Sequence, residues 1–144
     1  MSFPRHPLHP ALAHFPVALW IGTTAADLIA LRTGDVTWWH VGRYAAIAGT
    51  LMGALTLLAG LLELWLREIP SAAVRWLGVH ASLMSAALLS FMVSLSLRTT
   101  FPPPMSAVWV SFLGCVCVLA GGFFGGTLVY RFGVGVSWRD QKNR

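Results

Sequence analysis

Four long apolar runs separated by short polar gaps constrain this chain more than any other feature. They cover roughly residues 11–31, 44–66, 73–97 and 107–130. Each is close to the about 20 mostly apolar residues that cross a bilayer's hydrocarbon. Backbone in lipid must satisfy its own hydrogen bonds, so runs of this length read as helices. Gaps this short leave neighbouring helices antiparallel. The expected fold is all-α, a transmembrane up-down four-helix bundle. It forms a single membrane domain over residues 1–144, with a short basic tail at 131–144.

Charge supports the same reading. Only 10% of residues are charged, against about 25% in soluble proteins. The net charge of +5 comes from basic residues at the span ends. Anionic lipid headgroups are the fitting partner there. Nucleic acid is not, because no surface interleaves aromatic and basic residues. Arg5, Arg67, Arg75, Arg131, Arg139, Lys142 and Arg144 fall on one side, and Arg32, Arg43 and Arg98 on the other. The positive-inside rule then places both termini in the cytoplasm of a bacterial inner membrane. Trp38, Trp39 and the "FPPP" turn belong to the outer interface, and Trp65, Trp76 and Trp138 to the inner one. The start, "MSFPRHPLHP", lacks the form of a cleavable signal, so the first span is expected to be retained. Cys115 and Cys117 stand two apart on one helix. They point to different sides and serve as small apolar fillers.

Periodicity assigns an inward face to each span. In the second, Gly42, Ala46, Gly49, Gly53, Thr56, Gly60 and Glu63 recur at alternating steps of four and three, which keeps them on one stripe. Small residues permit close helix approach in a membrane. The same absence of side chains leaves room for a flat ligand. Stripes drawn through the polar residues of the other spans are His14, Ala18, Ile21, Ala25 and Leu28; His80, Met84, Ala87, Phe91 and Ser94; and Ser111, Gly114, Val118, Gly121 and Gly125. The stretch "GGFFGG", residues 121–126, offers either close packing or a backbone surface against a cofactor.

Three spans deliver ionisable groups to one layer in the cytoplasmic half of the bilayer. These are His14, His80 and Glu63. In such a bundle the first and third helices face each other across the core. Two histidines on them suit the axial positions of heme iron. The expected cofactor is heme b, with His14 and His80 as ligands and Glu63 as a hydrogen-bonding neighbour. Gly60, Gly121 and Gly125 would line its faces, and Arg67, Arg75 and Arg131 would pair with its propionates. The alternative reading of His80 is a packing histidine bonded to Glu63. His6, His9 and His14 read either as headgroup-level residues or, with Glu63, as a divalent-metal site. A second polar locus holds Asp27, which needs a partner inside the membrane. Arg43 or His40, across the short loop, is the expected one. A salt bridge there would hold the hairpin; a second heme or a proton path is the alternative.

The opening "HPLHPALAHFPVALW", the later "DLIA", "AGLLE" at 59–63, His80 and the ending "GGTLVYRFGVGV" resemble the bacterial family known as domain of unknown function 2231. The resemblance covers nearly the whole chain. It implies a four-span membrane protein with a His-Pro-rich start and an acidic residue, commonly Asp, at the position of Glu63. It makes His9, His14 and His80 the positions to carry over for a heme or metal.

Three functions compete. One is a small b-type cytochrome or redox-complex subunit, passing electrons between quinol, a soluble redox protein and a larger complex. One is a non-heme metal or proton-handling protein. One is a cofactor-free scaffold or accessory subunit, in a homo- or hetero-oligomer. No phosphate-cradling loop and no Ser/His/Asp set marks an independent enzyme.

Overall fold

The computed structural model describes residues 8–66 and 69–135. Four helices follow one another: α1 (Leu8–Thr33), α2 (Val36–Leu66), α3 (Val74–Leu97, led by a 3-10 turn at Ser71–Ala73) and α4 (Met105–Phe132). All four are long and apolar enough to cross a membrane. They pack as an up-down bundle of two hairpins. α1 lies closely on α2 and α3 on α4, while the α1–α4 and α2–α3 seams are sparser.

Local chemistry explains where the helices stop. Gly34 takes φ 71° and donates its N–H to Ala30 at 2.9 Å, ending α1. Asp35 then caps α2, accepting the N–H of Thr37 on Oδ1 at 2.9 Å. This cap starts α2 eight residues before the apolar run at 44. Trp38, Trp39 and His40 therefore lie within the helix. Gly133, at φ 64°, closes α4, with Gly133 N–H on Val129 and Val134 N–H on Leu128, each at 3.0 Å. Only a residue free to adopt positive φ ends a helix this way without strain.

The centre is a cluster of Trp20, Ala46, Ala87, Phe91 and Val118. Trp20 and Phe91 stack with ring centres 5.0 Å apart, so α1 and α3 meet along the bundle's diagonal. Large apolar side chains such as Leu51, Leu58, Leu113, Leu119 and Phe123 cover the outside. A bundle surrounded by lipid requires such a surface.

The inward stripes of three helices stand as read from the sequence. On α2, Gly42 through Thr56 are buried, with Gly60 and Glu63 half-buried. On α3 and α4 the stripes through His80 and Ser111 face inward. The stripe on α1 does not. His14, Ala18, Ile21, Ala25 and Leu28 are all exposed. The buried face carries Pro16, Trp20, Thr23, Ala26, Asp27 and Ala30 instead. Asp27 and a large aromatic decide this rotation, because a carboxylate is the costliest group to leave facing lipid.

Candidate functional site

The inward face of α1 brings His9, not His14, to the core. His9 and His80 meet edge to face, with ring centroids 6.3 Å apart and planes at 87°. Each ring is held in the same manner. His9 Nδ1 lies 2.9 Å from the Thr56 carbonyl, and His80 Nδ1 lies 2.8 Å from the Gly121 carbonyl. A carbonyl only accepts, so each Nδ1 carries the proton and donates. Nε2 of each ring is left outside these hydrogen bonds. This is how metal-binding histidines are commonly oriented, by a hydrogen bond from the nitrogen that does not bind.

Glycine makes these bonds geometrically accessible. Helical Cβ atoms tilt toward the N-terminus, so the residue four positions after a carbonyl tends to cover it. That residue is Gly60 for Thr56 and Gly125 for Gly121. A Cβ at 60 would stand 2.8 Å from His9 Nδ1, and one at 125 would stand 3.0 Å from His80 Cε1. Gly121 serves twice: its carbonyl holds His80, and a Cβ there would meet Met84 Sδ at 2.7 Å. The glycines line the rings rather than an empty face. Glu63 accepts the backbone N–H of His9 at 3.2 Å. It thereby secures the first turn of α1, whose N–H groups have no intrahelical partner.

The remaining residues expected at this site are distributed as follows. His14 is exposed on the outer face of α1, away from His80. Arg75 is exposed. Arg131 lies over the rings of Trp76 and Phe132, at 5.9 and 5.5 Å. His6 and Arg67, like Arg5, Trp138, Arg139, Lys142 and Arg144, lie outside the described residues. Among the described residues no three His, Cys, Asp or Glu side chains gather as a metal site would need. Cys115 and Cys117 are free thiols.

The second polar locus is a closed network, and its partner differs from the one expected. Asp27 pairs with Arg98, the C-cap of α3, in a two-pronged salt bridge. One prong is Arg98 Nη1 to Asp27 Oδ1 at 2.9 Å; the other joins Nη2 and Oδ2. Ser111 donates to Asp27 Oδ2 at 3.2 Å, and Arg98 Nε donates to Ser94 at 3.3 Å. Asp27 is 1% exposed and Arg98 2%. Arg43 and His40 instead lie against Phe101, at 5.3 and 4.1 Å. Arg98 prevails by position: it ends α3 on the diagonal from Asp27, and the Ser94 and Ser111 hydroxyls hold its guanidinium there. Arg43 sits on the neighbouring helix, turned toward Phe101.

Residues 5–138 match the family model described as predicted membrane protein DUF2231. The chain belongs to the DUF2231 family. No curated protein and no solved structure matches it. Membership agrees with the four spans and adds no activity. In this member of DUF2231, the described site is a pair of carbonyl-anchored imidazoles at one end of the bundle and a saturated ion pair toward the other.

Proposed function

We propose that this membrane protein binds heme b between His9 and His80 and acts as a small electron-transfer protein or redox-complex subunit. The observation that carries the reading is the pair of Nδ1-anchored rings at 6.3 Å on diagonal helices. The two rings would hold the heme iron through the Nε2 atoms that their carbonyl bonds leave free. The donor count also favours heme over a bare divalent ion. The described residues bring two nitrogen donors together, and a porphyrin fills the other positions itself.

Bound heme would supply one-electron chemistry. The chain's own part would be to fix the two rings through Thr56 and Gly121, hold the start of α1 through Glu63, and exclude water. Arg131 and Arg75 stand toward the same end of the bundle and would meet the propionates; Arg67 is the third candidate. In the orientation implied by the basic residues this end would face the cytoplasm, where quinol or a soluble redox protein would exchange electrons.

The test is a reduced-minus-oxidised spectrum of the protein purified in detergent from heme-supplied cells. Sharp bands of a six-coordinate b-type heme, with about one iron per chain, support the reading. A featureless spectrum from folded, heme-supplied protein overturns it and leaves a scaffold role.

A further inference from the structure

The two hairpins carry the same contacts at a constant offset. His9, Trp20 and Asp27 on α1 have counterparts 71 residues later in His80, Phe91 and Arg98 on α3. Each member of α1 meets its own counterpart: ring against ring at 6.3 Å, ring on ring at 5.0 Å, carboxylate on guanidinium. The second helices match at an offset of 65. Thr56 holds His9 as Gly121 holds His80. Gly60 stands against His9 as Gly125 does against His80. Gly49 abuts Trp20 and Leu19 as Gly114 abuts Phe91 and Ser90. The offsets differ by six because the helices of the first hairpin run on past the paired positions: α1 continues to Thr33 beyond Asp27, whereas α3 ends at Leu97, just before Arg98.

Residues that touch their own counterparts lie on the axis relating the two halves. We infer that α1–α2 and α3–α4 are equivalent halves related by a two-fold axis down the bundle, and that the histidine site sits on that axis. One ligand is then held per chain through two equivalent imidazoles. The assignment of the ligand rests on the heme reading above; the equivalence of the halves does not.

Asp27 and Arg98 make the equivalence testable without any ligand. If the positions are equivalent, their side chains are exchangeable. An arginine at position 27 would find the buried hydroxyl of Thr23, the counterpart of the Ser94 that holds Arg98. An aspartate at position 98 would face Ala46 where Asp27 now has Ser111, so recovery should be incomplete.

The experiment compares the thermal midpoint in detergent of the wild type, Asp27→Arg, Arg98→Asp and the double exchange. It also titrates wild-type protein with hemin. The expected result is that the double exchange regains at least half of the midpoint lost by either single variant, and that uptake saturates at one hemin per chain. Should the single variants fail to yield folded protein, a monodisperse double exchange supports the equivalence equally. A double exchange no better than the single variants overturns the equivalence, and saturation at two hemins overturns the on-axis site. Rescue by exchange without hemin uptake leaves the equivalent halves standing and removes the heme reading, together with the ligand assigned to the axis.

Discussion

At one end of the α1–α3 diagonal, Asp27 and Arg98 saturate each other. Toward the other, His9 and His80 each commit one ring nitrogen to a carbonyl and keep the second. The two regions occupy matching positions on the same two helices, yet they are finished differently. The ion pair has both carboxylate oxygens bonded, with Ser111 and Ser94 taking up further lone pairs and donors. Nothing there is left to bind a ligand. The histidine pair is held as firmly in orientation but remains chemically incomplete. Each imidazole of that half-buried pair keeps a second ring nitrogen outside these hydrogen bonds, and the proposed heme site makes use of it. A structural clamp and a candidate site thus differ in what each leaves unbonded.

The largest effects should come from breaking the clamp. Asp27→Ala or Arg98→Ala strands a buried charge and should cost about 3–5 kcal/mol. Replacing both together, as Asp27→Leu with Arg98→Met, should recover most of that loss. Unfolding in detergent measures both. A single variant as stable as the wild type would show that the pair is not buried in the folded protein.

Intermediate effects should appear at the glycines beside the rings. Gly60→Ala forces a methyl to within 2.8 Å of His9 Nδ1, an overpacking expected to cost about 1–3 kcal/mol. Gly125→Ala, with its nearest contact at 3.0 Å, should cost less. Gly122→Ala meets nothing within 4 Å and should be neutral or, through helix propensity, stabilising by up to about 1 kcal/mol. The same unfolding assay ranks the three. The inverse order would place the open face of α4 against the histidines.

The smallest effect belongs to Asp35 in the loop between α1 and α2. The Thr37 backbone N–H, followed by its side chain, holds this carboxyl below the usual range. A lowered folded value stabilises above the unfolded value of about 3.9 and is lost as pH falls through the folded one. The stability gap between wild type and Asp35→Ala should therefore be flat from neutral pH to about 4 and close below it. A gap that widened on acidification would reverse the sign of this contribution.

Most of the architecture is legible in the sequence. Span lengths, antiparallel order and the faces of α2, α3 and α4 all follow from apolar runs and from small residues recurring at helical spacing. The rotation of α1 is not legible from a frame drawn through His14. Asp27 carries the better signal, since burial of a carboxylate in a membrane is close to obligatory. Counting back from Asp27 by seven, four and seven reaches Trp20, Pro16 and His9, one continuous face. His14 lies about 140° away from it at 100° per residue. The ion-pair partner is harder to see. Arg98 follows its span directly and reads as an interfacial residue; only the diagonal packing of α3 on α1 shows that it turns inward. The repeat is obscured as well. Its two offsets differ because the helices of the first hairpin extend further past the paired positions, and at Trp20/Phe91 and Asp27/Arg98 the paired residues are of different types.

The histidines themselves give the most direct measurement. Reduced-minus-oxidised spectra should be compared for His9→Ala, His14→Ala and His80→Ala, each purified from heme-supplied cells and normalised to protein. His14→Ala is expected to keep the wild-type bands, while His9→Ala and His80→Ala each lose the six-coordinate spectrum. Loss of the bands in His14→Ala with retention in His9→Ala would contradict a site between His9 and His80, because the ring that faces lipid in this structure would then be the one that binds.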